Sequence, residues 1–207
     1  MTSRMFIPNA DHYGFINQCI DDDPKHTIIS TFGIYAGITY DGRDTSEWGS
    51  SYSLETRDII NRLQKIDNVR FLIGVAEYRS CKSGRSNYCI DCEQQYIRTL
   101  LRLVFHAEKF PEFEWRITHN LHLKCCLFFY DQDCDPVQAK GVAGGRNFTN
   151  SDWADVTFEL QPDQIKELHD YTHDLWEEAL PATDDSINLI LESQKISDKS
   201  IKSVVGV

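Results

Sequence analysis

Apolar residues along the chain follow two periods, one typical of buried strands and the other of amphipathic helices. Short apolar runs rich in β-branched residues predict strands at 27–35, 69–76, 114–118, 121–130, 140–143 and 156–160. Apolar residues that recur every three or four positions predict helices over 59–66, 97–105 and 162–179. Because strands and helices alternate in this way, the sequence predicts an α/β layered domain.

The chain length suits one domain. Its 207 residues contain no internal repeat and no clear linker, so residues 1–180 are expected to form a single domain. Residues 79–92 are polar and carry three cysteines, which predicts a Cys-rich loop or insertion. The stretch 181–207 reads as a polar C-terminal tail with one apolar patch at 187–191, either partly disordered or lying on a partner.

Composition and charge exclude several classes of protein. A content of 41% hydrophobic and 26% charged residues is globular rather than disordered, collagenous or coiled-coil. No apolar run approaches the roughly 18 residues of a membrane span, and the start lacks the apolar stretch of a secretory signal, so a cytoplasmic protein without a membrane partner is expected. The net charge of -11 excludes a generally basic nucleic-acid coat but leaves a local basic site open.

Polar residues between 120 and 160 interrupt otherwise apolar segments and suggest phosphodiester chemistry. They are His122 and Lys124, the turn residues Gly145, Arg146, Asn147 and Thr149, and Glu159 on the following strand. Residues two apart on a strand share a face, so His122 and Lys124 should project side by side. A neutral histidine can attack phosphorus, and lysine and asparagine can stabilise the charge that builds on the phosphate oxygens. A carboxylate can hold the tautomer of the histidine, and this scheme requires no metal.

These residues resemble the motif of the phospholipase D superfamily. His122 and Lys124 match its His-x-Lys pair, residues 144–149 resemble its Gly-Ser-x-Asn-Phe-Thr turn, and 153–160 resemble its downstream strand. The resemblance implies a layered α/β fold with a mixed central sheet flanked by helices, and a hydrolase acting on phosphodiester bonds. It assigns catalytic roles to His122, Lys124, Asn147 and Glu159, and substrate binding to Arg146, Gly145 and Thr149.

The chain departs from the family pattern at two positions. Phe129 stands where the family has an aspartate, and Asp131, two residues on, is the candidate replacement. Gly145 stands where the family has a serine.

A single His-x-Lys motif has a consequence for assembly. The family uses two such motifs in one active site, one histidine as nucleophile and the other as general acid, so this chain is expected to act as a homodimer. The resulting expectation is a metal-independent nuclease that forms a phosphohistidine at a dimer-shared site. Its substrate is nucleic acid, with DNA ranked ahead of RNA.

Two alternative functions stay open. The acidic balance keeps a phosphodiesterase acting on lipid or on a small phosphodiester under consideration. The departures at Phe129 and Gly145 keep a degenerate, non-catalytic module that binds nucleic acid or a partner.

The cysteines suggest one cofactor. Cys89 and Cys92 have the Cys-x2-Cys spacing of zinc sites, and Cys81 lies nearby. A structural zinc would need a fourth ligand from elsewhere, for which Cys19, Cys134 and His106 are candidates. The competing interpretation is a set of thiols on a loop, since disulfides are rare in reducing compartments.

Overall fold

Neighbouring residues on the strands point into two different cores, which explains why the strands read as nearly continuous apolar runs. The computed structural model describes residues 12–45, 51–76, 78, 90–119, 121–145 and 157–206. In chain order the elements are α1 (His12–Asp21), β1 (His26–Thr31), α2 (Ser51–Leu63), β2 (Asn68–Val75), α3 (Ile90–Lys109), β3 (Glu114–His119), β4 (Cys125–Phe129), β5 (Ala139–Gly144), β6 (Thr157–Glu159), α4 (Pro162–Glu178), β7 (Leu180–Pro181), α5 (Asp184–Ser193) and α6 (Asp198–Val205).

In the part of the chain that the structure describes, seven strands form one sheet in the order β6-β5-β4-β1-β2-β3-β7. Strands β1, β2 and β3 are parallel. All other neighbouring strands pair antiparallel. Helices α2 and α3 serve as the crossovers that parallel neighbours require. The α/β class with a mixed central sheet flanked by helices is therefore confirmed.

The two faces of the sheet are covered differently. Phe71 joins a large core shared with α1, α2, α3 and α5, whereas its neighbour Leu72 packs against Trp176 of α4. The same alternation separates Phe128 from Leu127 on β4. Helix α4 thus covers one face, and the other described helices cover the opposite face.

The segment after Pro181, expected to be partly disordered, forms α5 and α6, so the expectation of disorder is wrong. The apolar patch 187–191 is buried in the main core rather than on a partner, apart from the exposed Leu189. Helix α6 packs on α3, where the hydroxyl groups of Ser197 and Ser200 donate to the carboxylate of buried Glu93. These hydrogen bonds, both to Oε2, offset part of the cost of burying the Glu93 carboxylate.

Besides α5 and α6, two further elements are absent from the sequence prediction. Helix α1 buries Ile16 and Ile20, and its Tyr13 hydroxyl lies 3.2 Å from the hydroxyl of Thr56 on α2. Strand β7 is only two residues long and pairs with β3.

Candidate active site

One edge of the sheet collects the residues that the sequence singled out. The parallel strands β1, β2 and β3 end there at Thr31, Val75 and His119. Because β4 and β6 run antiparallel to their neighbours, they begin at this same edge, and β5 ends there at Gly144. We call it the carboxyl edge. Sites in α/β sheets lie outside the carboxyl ends of parallel strands, where loops converge.

His122 and Lys124 meet at the carboxyl edge. The ammonium nitrogen of Lys124 lies 3.3 Å from both ring nitrogens of His122. Lys124 is 8% exposed, whereas His122 is exposed. The expected juxtaposition is therefore present, although the strand predicted at 121–130 covers only 125–129 and the pair lies just before it. A buried cation beside an accessible imidazole is suited to receive an anion.

Three backbone contacts fix the segment that carries this pair. The Gly144 N–H donates to the Lys124 carbonyl at 3.0 Å, and the Ser30 hydroxyl donates to the Leu123 carbonyl at 3.2 Å. A Cβ added at Gly74 would lie 1.8 Å from the Leu121 carbonyl oxygen, so only glycine allows β2 and this segment to come so close. Each contact connects a neighbouring strand to the residues around His122.

The ring of Phe32 completes the immediate surroundings of His122. It follows β1, and its centroid lies 4.8 Å from the centroid of the imidazole at an interplanar angle of 58°. Such tilted ring pairs contribute about 0.5–1.5 kcal/mol beyond burial. Phe32 therefore helps to set the orientation of the imidazole.

His12 is a polar residue at this edge that the sequence analysis missed. It lies at the start of α1, is 4% exposed, and its Nδ1 is 3.2 Å from the hydroxyl of Thr157 at the start of β6. With Ser30, Lys124 and Gly144, these two residues line one small cavity. The helical spacing of Tyr13, Ile16 and Ile20 is a signal for α1, but nothing in the sequence places its first residue beside Lys124.

Glu159 occupies a deeper position on the sheet than its predicted role requires. Thr157 stands opposite Gly144 at the carboxyl edge, whereas Glu159 stands opposite Val142, two positions further in. Its charge acts on Cys19 and Lys140. The described contacts do not bring Glu159 and His122 together, so its orienting role stays a prediction.

The turn after β5 is described only in part. Gly145 follows β5 and is half-buried, while Arg146, Asn147 and Thr149 lie outside the described residues. The phosphate-binding roles assigned to these positions therefore stay predictions. Asp131 lies at the other end of β4, where its carboxylate accepts hydrogen bonds from the backbone of Asp133 and Asp135. It caps a turn there, far from His122.

The structure argues against the residues that were suggested as a fourth zinc ligand, beginning with His106. Cys81 and Cys89 lie outside the described residues, and Cys92 is half-buried in the first turn of α3. His106 uses both ring nitrogens, since Nδ1 donates to the Arg102 carbonyl at 2.7 Å and Nε2 accepts from the Ala36 N–H at 3.1 Å. It is therefore unsuited to bind zinc.

The two cysteines suggested as fourth ligands are unfavourable in the described structure. Burial raises the pKa of Cys19 to about 12 and holds it as a thiol. Cys134 lies at the opposite edge of the sheet, beside His26 and Asn68. Zinc binding by Cys81, Cys89 and Cys92 stays a prediction without an identified fourth ligand.

The described helices include none that is long and apolar enough to cross a membrane.

Two arginines of α3 pack over tyrosine rings within the fold. Arg98 lies over the ring of Tyr40 at 5.0 Å, and Arg102 over that of Tyr35 at 5.3 Å.

No known family model matches the sequence, and no curated protein matches it significantly. Several solved structures have a similar fold. The phospholipase D family member Nuc from Salmonella typhimurium is 14% identical, with coverage of 81% of this chain and 88% of that chain, and a TM-score of 0.45. NucT from Helicobacter pylori is 10% identical, with coverage of 85% and 96% and a TM-score of 0.48.

A third similar structure is a phosphatidylserine synthase from Haemophilus influenzae Rd KW20. It is 13% identical, with coverage of 91% of this chain but 43% of that chain, and a TM-score of 0.48. With identities of 10–14% and TM-scores below 0.5, these similarities carry no argument about function, and the chemistry of the site has to rest on its own residues.

Proposed function

We propose that the protein is a metal-independent phosphodiesterase that cuts nucleic acid through a phosphohistidine on His122. The observation that carries this proposal is the buried ammonium of Lys124, 3.3 Å from the ring nitrogens of an exposed imidazole. A histidine in solvent beside a fixed cation can approach phosphorus while the cation holds a non-bridging oxygen. Both groups lie at the edge of the sheet where α/β enzymes bind their ligands.

The reaction needs a nucleophile and an acid. In the first step a nitrogen of His122 forms a bond to phosphorus, the bond from phosphorus to the leaving oxygen breaks, and a protonated imidazole gives that oxygen a proton. In the second step the now neutral imidazole takes a proton from water, whose oxygen attacks phosphorus and releases His122. Lys124 stabilises the negative charge in both steps, with Asn147 as the second donor.

The acid is the partner subunit's His122 in a homodimer. One chain supplies one His-x-Lys motif, and a two-fold axis beside this motif would set two imidazoles on opposite sides of one phosphate. Light scattering tests this arrangement. A monomer that cleaves would overturn the shared site and direct attention to His119, which lies at the end of β3 on the same edge.

The decisive experiment is incubation of the purified protein with labelled DNA and RNA in EDTA, beside the His122→Ala variant. We expect cleavage by the parent protein and a loss of at least about 10³-fold in the variant. His173→Ala, on α4, serves as the matched control and should cleave like the parent. Activity that requires magnesium, or that survives His122→Ala, would contradict the mechanism.

Phospholipid vesicles, added as a further substrate in the same assay, separate the two alternative functions. Cleavage of phospholipid vesicles without cleavage of nucleic acid would identify a lipid phosphodiesterase. Binding of oligonucleotides without cleavage of any phosphodiester would identify a binding module.

A further inference from the structure

A cavity of about 300 Å³ opens beside Phe32 at the carboxyl edge. It is lined by Gly74 and Val75 at the end of β2 and by Ala76, which follows the strand. One face of α3 forms a wall through Cys92, Gln95, Tyr96 and Thr99, and the rings of Phe32 and Tyr78 close the remaining sides. Nothing in the proposed reaction at phosphorus uses this cavity.

The side chain of Phe32 connects the cavity to the reacting group. Its ring lines the cavity and also contacts the ring of His122, at a centroid distance of 4.8 Å. A group bound in the cavity would therefore lie one aromatic ring away from the imidazole. That separation suits a part of the substrate that adjoins the scissile phosphate.

The lining combines aromatic faces with a few polar groups. The rings of Tyr78 and Tyr96 lie 5.9 Å apart at 50° to each other, with Phe32 as the third ring. Gln95 is exposed at the rim and brings an amide with both donors and an acceptor. Flat, partly polar ligands such as nucleobases are bound by stacking on aromatic side chains and by hydrogen bonds to their edges.

We propose that this cavity binds one unstacked nucleobase next to the cleaved phosphate, so that the substrate is single-stranded nucleic acid. The inference rests on the proposed function. The volume lies at the lower limit of ligand pockets, about 300 Å³, and suits a single base rather than a long chain. A base inside a duplex is stacked on both faces, so a duplex would first have to release it.

Binding, rather than cleavage, is the first test. The His122→Ala protein, which should not cleave, is titrated with a fluorescent single-stranded oligonucleotide and with its duplex. We expect tighter binding of the single strand, and a loss of at least about fivefold in Tyr96→Ala, because stacking on one aromatic side chain contributes that much or more per base. Tyr96→Phe should retain binding. Tyr171→Ala, an exposed tyrosine on α4, should bind like the parent.

A second measurement guards against simple misfolding of Tyr96→Ala. Gln95 is exposed, so Gln95→Ala should leave the fold intact while it changes the preference among the four bases. Removal of the base beside the cleaved phosphate should weaken binding of the oligonucleotide to the His122→Ala protein. It should not weaken binding to the same protein with the additional Tyr96→Ala substitution. Equal binding of single strand and duplex, or equal affinity of Tyr96→Ala and the parent, would overturn the proposal.

A small aryl phosphodiester without a base separates this inference from the proposed function. If the parent hydrolyses it and Tyr96→Ala hydrolyses it equally well, the cavity acts on the base alone, as proposed. If the parent cleaves no phosphodiester but binding still depends on Tyr96, the proposed function is wrong and the base site stands. If phosphatidylcholine vesicles displace the oligonucleotide, the cavity takes lipid and the proposal is wrong.

Discussion

The two edges of the sheet both gather histidines and cations, yet they differ in how these groups are held. At the amino edge, where β1 and β2 begin, a cavity of about 250 Å³ is lined by His26, Arg70, Asp133, His169 and His173, among others. The carboxyl edge instead brings together His12, His122 and Lys124. Residue types alone would make either edge a candidate site.

The difference lies in the surroundings of the cations. At the amino edge, Lys140 pairs with Asp22 at 2.6 Å, with both side chains about 40% exposed, and Arg70 lies over the ring of Trp176 at 5.2 Å. An exposed ion pair such as Lys140–Asp22 contributes little to stability. Lys124 is instead buried with its ammonium against an imidazole. The described residues also contain no group of His, Cys, Asp and Glu arranged to hold a metal ion.

Among the changes that compare the two edges, removal of the buried cation should have the largest effect. Lys124→Met keeps the length of the side chain and deletes the charge, so we expect at least about a 100-fold loss of cleavage. The matched change at the amino edge, Lys140→Met, should leave cleavage unchanged. Rates measured on one labelled oligonucleotide compare the two variants. Full activity in Lys124→Met would remove the contrast between the edges.

Two glycine substitutions compare the close backbone approach at the carboxyl edge with a position in the middle of β5. Gly74→Ala sets a Cβ 1.8 Å from the Leu121 carbonyl oxygen, so the segment that carries His122 has to move. We expect a loss of about 1–3 kcal/mol in the free energy of unfolding, together with loss of cleavage. Gly141→Ala, in the middle of β5, sets a Cβ 2.9 Å from a side-chain end of Leu127 and 3.1 Å from that of Leu160, which can rotate, and 3.3 Å from the Cys126 carbonyl oxygen.

Urea midpoints rank the two glycine variants, and the cleavage assay shows whether the site is displaced. Gly141→Ala should cost less and keep activity. A larger cost for Gly141→Ala than for Gly74→Ala would contradict the role assigned to the close approach of β2 and residue 121.

The fold could be predicted where the periodicity was long and failed where the elements were short. Strands β2 and β3 lie within one residue of their predicted bounds, whereas β1 ends at Thr31 rather than at 35 and α3 covers 90–109 rather than only 97–105. Helix α1 spans only ten residues and carries Gly14 in its interior, which weakens the helical signal. In α5, the spacing of Ile187, Ile190 and Leu191 is a helix signal, but the many polar residues around it hid the fact that this face packs on α3.

The site could be predicted as a motif but not as a geometry. His122 and Lys124 are adjacent on the same face of one segment, so the local spacing was enough to predict their meeting. Prediction of the position of Glu159 would have needed the register between β5 and β6. That register is not determined by side-chain spacing along the sequence. His12 required the packing of α1, a contact 145 residues distant in sequence from Thr157.

The pH dependence of stability should come mainly from His106, in the last turn of α3. Burial lowers the pKa of His106 to about 4, and its neutral ring anchors the loop after β1 through the Ala36 N–H. Between pH 6.5 and 4 the unfolded chain takes up a proton that the folded protein does not. The contribution of His106 to the free energy of unfolding is therefore fully present above pH 6.5. It is lost as the pH decreases, and the loss is about 2 kcal/mol at pH 5.

Chemical denaturation at pH 7 and pH 5 measures this loss. His106→Gln removes the titrating group and should flatten the pH dependence, even if it lowers stability at pH 7. Burial also lowers the pKa of His169 at the amino edge, but its side chain is 24% exposed and the effect should be smaller. A pH dependence that persists in His106→Gln and disappears in His169→Gln would reverse this ranking.

The smallest expected effects come from two buried threonines, one at each edge. Thr157 lies 3.2 Å from Nδ1 of His12, whereas the hydroxyl of Thr27 is buried without a hydrogen-bond partner among the described residues. Valine keeps the shape of threonine and removes only the hydroxyl. Thr157→Val should lower the free energy of unfolding by about 1 kcal/mol because it leaves a buried imidazole nitrogen without this contact. Thr27→Val should be neutral or stabilising, since it removes a polar atom whose burial is uncompensated. Thermal or urea denaturation of the two variants gives the comparison directly, and equal losses at both positions would show that His12 and Thr157 do not hold the carboxyl edge together.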